Sequence, residues 1–158
     1  MFPIDKKIKR SSIPEANKFG AKRKHDHHTG VDLFCPDGTE VLAVEDGVVT
    51  NVAMFTGASI GMPWWAETWC ILVEGKSGVF LYGELYEPDY SIGDIVFEGS
   101  VIGNVKTVLL KDKGLPMSML HIEWYEHGYR GNWDWWYHDQ PMPAGLKNIE
   151  EILEWEKE

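Results

Sequence analysis

From Thr39 to Glu126 the chain repeats one pattern: short runs in which apolar and polar residues alternate, each closed by glycine or another turn residue. A period of two places every second side chain on one face of an extended strand, and runs this short do not build the faces of a helical bundle. Thr39–Ala53 (TEVLAVEDGVVTNVA) alternates around Glu45-Asp46-Gly47, and Asp-Gly between β-branched runs predicts a hairpin. Thr68–Glu74 and Val79–Leu85 are predicted to be two strands across a Lys76-Ser77-Gly78 turn. Two further short strands fall at Asp94–Gly99 and Val101–Val105, with Gly93, Gly99 and Gly103 marking turns, and Met119–Glu126 (MLHIEWYE) alternates as another. The predicted class is all-β, an antiparallel sheet with long loops at 54–67 and 106–118 and an irregular aromatic stretch at 127–145. Only Leu146–Glu158 carries helical spacing, with Ile149, Ile152 and Leu153 among glutamates, and it is predicted to be a short acidic C-terminal helix.

A chain of 158 residues is long enough to bury one core, so residues 25–145 are expected to form a single β domain between two extensions. Charge is uneven along it. Residues 1–24 hold eight of the fifteen Lys and Arg against Asp5 and Glu15 alone, which makes this segment a basic arm, expected to be irregular and solvated. The rest is strongly acidic, which argues against nucleic acid as the partner. No apolar run approaches the roughly 18 residues of a membrane span. MFPIDKKIKRSS has charge but no hydrophobic signal core, so the expected location is cytoplasmic. Cys35 and Cys70 are too few for a disulfide framework and are expected to be reduced.

The chemistry concentrates at His28-Thr29-Gly30-Val31-Asp32. Gly30, β-branched Val31 and the nearby Pro36 and Gly38 favour an extended chain, in which an even spacing sends the imidazole and the carboxylate to the same side. A neutral imidazole nitrogen with a carboxylate oxygen is part of a His₂Asp zinc set, and by itself HxxxD fits a solvated polar turn equally well. Met119-Leu120-His121-Ile122-Glu123 places Met119, His121 and Glu123 on one strand face and Leu120 and Ile122 on the other. His121 can complete a set with His28 and Asp32 that leaves one position open for water, and Glu123 can orient a ligand from behind. An exposed polar strand face is the alternative for these residues. His25 and His27 flank the ligand stretch, while His127 and His138 suit the surface. Trp64, Trp65, Trp133, Trp135 and Trp136 either pave a groove or pack loops onto the sheet.

The order HxGxD, then PDGTEVLAVEDGVV, then Tyr82-Gly83-Glu84-Leu85, then GDIVFEGSVIG, then LHIE resembles the lysostaphin/LytM-type zinc metallopeptidases from about His28 to about Glu126. The resemblance implies the duplicated-hybrid-motif fold, a groove on an antiparallel sheet, and one zinc held by His28, Asp32 and His121. It also implies action on peptide or peptidoglycan-like amide bonds. Two positions depart from the family pattern: Tyr-x-His-Leu reads Tyr82-Gly83-Glu84-Leu85, and His-x-His reads Met119-Leu120-His121. Both catalytic histidines are replaced while the ligands remain. Glu84 can serve as the base, or as a fourth ligand, and Tyr82, two residues earlier on the same strand, can donate to an oxyanion. Met119 moves no proton. The expected function is a metal-dependent hydrolase, with a catalytically silent metal-binding module as the alternative.

Overall fold

The computed structural model describes residues 1–131 and 135–158. Among the described residues nine strands form: β1 (Val31–Phe34), β2 (Glu40–Leu42), β3 (Gly47–Thr56), β4 (Thr68–Gly75), β5 (Gly78–Leu85), β6 (Ile95–Val96), β7 (Val101–Asn104), β8 (Met119–Tyr125) and β9 (Leu146–Lys147). Seven of them make one antiparallel sheet in the order β1-β8-β5-β4-β3-β6, with β9 also on β8, and β2 and β7 pair separately. The alternation explains the layering. Leu120, Ile122, Phe80, Tyr82, Val31 and Leu33 point into the main core, where Val41 and Ile102 of the small sheet meet them. The opposite face carries a smaller apolar group, Cys70, Leu72, Val79, Leu81, Tyr125 and Leu146, and beside it the polar residues of β1 and β8.

Four expectations are corrected. Asp46-Gly47 is not a hairpin turn, because β2 pairs with β7 while β3 pairs with β4 and β6, so the chain passes from one sheet to the other at this point. Asp46 instead accepts the Glu98 N–H at 2.8 Å, and a Cβ on Gly47 would meet the Glu74 carbonyl oxygen at 2.6 Å. The loop at 54–67 is shortened accordingly, since β3 runs on to Thr56.

The C-terminal helix does not form, and no α-helix occurs among the described residues. Leu146 and Lys147 are drawn onto Tyr125 and Trp124 as strand partners. A single 3₁₀ turn follows at Ile149–Glu151, its first N–H groups capped by Asn148. A helix of a dozen residues is marginal alone, and here pairing with the sheet and burial of Ile149 and Leu153 outweigh local propensity.

The basic arm keeps most of its charged side chains exposed but is docked on the domain by its apolar residues. Phe2, Ile4 and Ile13 are buried in the main core, and Trp155 packs edge-on against Phe2. Buried Glu150 ties arm to tail, accepting from Arg10 Nε at 2.8 Å and from the Phe19 N–H at 2.6 Å.

Candidate metal centre

His28, Asp32 and His121 are all buried, and one ligand atom from each lies within 4.8 Å of the others. The sheet brings them together: in the β1–β8 register Asp32 stands opposite His121. Gly30 makes the approach possible, because a Cβ there would be driven into the Ile122 carbonyl oxygen and come within 2.9 Å of Glu123 Cγ.

The hydrogen bonds choose which atoms face inward. His28 Nδ1 donates to the Lys18 carbonyl at 3.0 Å, leaving Nε2 with its lone pair. His121 Nε2 donates to Glu123 Oε2 at 2.7 Å, so its inward atom is Nδ1. Asp32 Oδ2 accepts from Asn17 Nδ2 at 2.9 Å and from Arg23 Nη2 at 3.2 Å, which directs Oδ1 to the centre. The inward atoms sit close: His121 Nδ1 is 2.9 Å from Asp32 Oδ1 and 3.2 Å from His28 Nε2, and His28 Nε2 is 3.3 Å from Asp32 Oδ1. Three lone-pair donors pressed together need a cation among them, either a proton or a metal ion. Two imidazoles and a carboxylate suit zinc, and the outer atoms of all three are held by partners, as metal ligands usually are.

The electrostatics agree. Burial pushes the His121 imidazolium down, but hydrogen bonds to Asp32 and Glu123 outweigh it and raise the pKa to about 10. Burial raises Asp32, yet the His28 and His121 rings hold its carboxyl well below the usual carboxylate range. Glu123 is also lowered, since His121, Thr29 and Tyr125 overcome its burial. Thr29 Oγ1 donates to its Oε2 and the Tyr125 hydroxyl to its Oε1, both at 2.6 Å. Glu123 thus stands behind His121, where the strand alternation puts it.

Glu84 lines the same pocket as the three donors but stands outside the group close enough to share an ion. Its placement comes from a β-bulge. Ile71 of β4 opposes Tyr82 and Trp69 opposes Leu85, so Cys70 faces both Gly83 and Glu84. Glu84 takes a φ of 65°, which non-glycine residues adopt at a cost of about 1–3 kcal/mol. Its Oε2 is enclosed and has no hydrogen-bond partner. Burial, then the charge of Asp32, raise its pKa to about 8 against the opposing pull of His121 and Arg23.

The same bulge corrects the expectation for Tyr82. The extra residue breaks the two-residue alternation, so Glu84 faces the pocket while Tyr82 is buried in the main core, its hydroxyl accepting the Val44 N–H at 3.0 Å. Met119 is buried at the start of β8. His25 is exposed, His27 lies against Trp136 at the pocket edge, and His127 and His138 are exposed. Phe55, Trp65, Trp135 and Trp136 line the pocket, Trp64 does not, and Trp133 lies outside the described residues. Sequence reasoning missed Asn17, Arg23 and the Lys18 carbonyl, whose only signal was a basic segment that looked terminal. Thr29 and Tyr125 were missed too, although each sits next to, or two residues from, a candidate ligand or its partner.

The model of Peptidase family M23 matches residues 26–133. Among solved structures, a zinc-containing peptidase from Vibrio cholerae is similar at 22% identity and a TM-score of 0.52, covering 77% of this chain and 35% of that one. A mutant of the catalytic domain of the prophage-encoded M23 protein EnpA from Enterococcus faecalis is similar at 23% identity and a TM-score of 0.51, over 80% of this chain and 88% of that one. CbpA from L. salivarius REN is similar at 20% identity and a TM-score of 0.50, over 78% and 82%. At these identities the likeness is one of fold. No curated protein matches the chain.

Proposed function

The chain belongs to peptidase family M23, and from that premise we propose that it is a metal-dependent hydrolase cleaving an amide bond in a peptide or a peptidoglycan-like cross-link. The observation that carries this reading is the Glu84 carboxyl, enclosed in the same pocket as three inward-facing donor atoms. His28 Nε2, Asp32 Oδ1 and His121 Nδ1 would hold one divalent ion, zinc by the character of the donors. Such an ion supplies Lewis acidity toward a carbonyl oxygen and toward water.

The remaining work falls to the chain. Glu84 would accept a proton from water and pass it to the leaving amine; burial and the charge of Asp32 give its carboxylate more proton affinity than an ordinary one. Arg23 is the one Lys or Arg side chain lining the pocket among the described residues; it donates to Asp32 Oδ2 at 3.2 Å, and its charge, after that of His121, opposes the rise in the Glu84 pKa. Glu123 holds the His121 ring in one tautomer. Phe55, Trp65 and Trp136 exclude water from the space around the donors. Replacing Glu84 by Gln is expected to lower hydrolysis of a model peptide or of purified peptidoglycan by about 10²-fold or more while metal content stays the same. Undiminished cleavage by that variant would remove Glu84 from the mechanism.

A second reading is a silent metal-binding module that uses the pocket to hold a ligand or partner protein. Met119 favours it, since no proton-moving group stands at the second family position, and so does Tyr82, whose hydroxyl is committed to Val44. Stoichiometric metal with no cleavage of any peptide or peptidoglycan substrate by the unmodified chain would select it.

A further inference from the structure

A second hollow, of about 420 Å³, opens on the far side of Trp65, whose side chain lines both it and the metal pocket. Two loops make its walls. They are pinned together at the base, where Trp65 bridges Leu109 and the Ala66 N–H donates to the Val108 carbonyl at 2.8 Å. Trp64, 59% exposed, and Leu110, 57% exposed, leave an apolar surface open to solvent, and Trp64 meets Trp65 edge-on. The charged lining is Lys111 and Lys113, neither with a side-chain partner among the described residues; Asp112, between them in the chain, does not line the hollow and accepts the Gly114 N–H at 2.8 Å. In a chain of net charge −10 whose metal pocket is lined by Asp26, Asp32, Glu84 and Glu123, this is a local reversal of sign.

We propose that this hollow is a substrate subsite that takes a peptide segment carrying an apolar side chain next to a carboxylate. The apolar group lies on Trp64, Leu109 and Leu110, and the carboxylate lies between Lys111 and Lys113. This rests on the reading that the metal pocket cleaves peptides. Continuity through Trp65 places the subsite on the path of a chain whose scissile bond faces Glu84. An exposed aromatic beside aliphatic side chains binds apolar groups by area. Two unpaired ammonium groups favour an anion and oppose a cation there, and one ionic contact at an exposed site changes affinity only modestly, so the effect is selectivity more than strength.

The test uses the full zinc-loaded chain carrying Glu84→Gln, so that bound peptide is not cut. Two probes are compared by calorimetry, acetyl-Gly-Gly-Gly-Leu-Asp-amide and its Asn counterpart. The Asp peptide is expected to bind about fivefold more tightly at low salt, with the difference vanishing near 0.5 M salt. Lys111→Glu with Lys113→Glu is expected to reverse the preference without changing metal content, and Trp64→Ala to weaken both peptides alike. A third probe ending in Leu with a free C-terminal carboxylate tells whether the favoured anion is a side chain or a chain end. Equal binding of the Asp and Asn peptides, a preference untouched by the lysine changes, or no binding of either overturns the inference. Cleavage of both peptides at equal rates by the unmodified chain would keep the hydrolase and discard the subsite. Lysine-dependent preference with no cleavage by the unmodified chain would keep the subsite and discard the hydrolase.

Discussion

Both ring nitrogens of His121 are engaged, Nδ1 toward Asp32 and Nε2 toward Glu123, so without metal the ring keeps both protons up to about pH 10. The inward proton sits where an ion has to sit. Metal uptake must therefore displace it, and affinity should rise by up to about tenfold per pH unit below pH 10. Calorimetry of zinc binding in buffers of different ionisation enthalpy should report about one proton released per ion near neutral pH. For stability Glu84 has the same sign as His121, because both folded pKa values are raised and both contributions are lost as pH rises. Its folded pKa of about 8 lies above the ordinary value of 4.5, so the folded protein binds the extra proton between those limits. The penalty for burying the carboxylate is absent below pH 4.5 and complete above pH 8. Glu84→Gln should leave the metal-free melting temperature nearly unchanged at pH 4 and raise it at pH 9. At Gly30 the constraint is steric: Gly30→Ala has to push β1 off the Ile122 carbonyl, a strain of about 1–3 kcal/mol. Its signature should be a lower melting temperature together with weaker metal binding, because Asp32 and His121 face each other across the same pair of strands.

At the scale of elements, the arm is the part whose role composition conceals. Its charges look like those of a solvated terminus, yet Asn17 and Arg23 fix Asp32, and the Lys18 carbonyl fixes His28. Asn17→Ala combined with Arg23→Ala should lower metal affinity about 10–100-fold, as loss of outer hydrogen bonds to metal ligands does, while the β-type circular dichroism is unchanged. The sequence was informative where local pattern and final pairing coincide. Val79–Leu85 and Met119–Glu126 alternate because each has one face on the main core, and they became β5 and β8 within a residue of their predicted ends. It misled where a distant partner decides. Asp46-Gly47 carries a hairpin signal, but β7 and β4 compete for its flanks and take them. Ile149, Ile152 and Leu153 have helical spacing, but Tyr125 and the arm claim the tail first. Tyr82 shares parity with Glu84 only in an unbroken strand, and a one-residue bulge is invisible to alternation counting. The three inward-facing donors were readable because HxGxD and LHIE are local; their supporting shell was not, because it comes from residues without a motif.

For the molecule as a whole, metal should act as a clamp. Ligands from β8, from β1 and from the stretch leading into it, with supports from the arm, would be joined by one ion, and a ligand present at about 1,000 times its dissociation constant stabilises the fold by about 4 kcal/mol. For a chain of this size, chelation should lower the melting temperature by on the order of 10 °C, and zinc should restore it. The same wiring bears on the order in which the structure can be built. Asp32 and His121 are 89 residues apart, and the Glu150 contact that seats Phe19 beside Lys18 spans 131. No nascent segment ending before β8 contains a complete donor set, and the arm cannot be seated until Glu150 has been made. Folding dominated by such distant pairings is slow, and metal is captured at its end, not at its nucleation. Zinc should therefore slow unfolding and leave the refolding rate unchanged, which keeps a half-made chain from holding a competent centre.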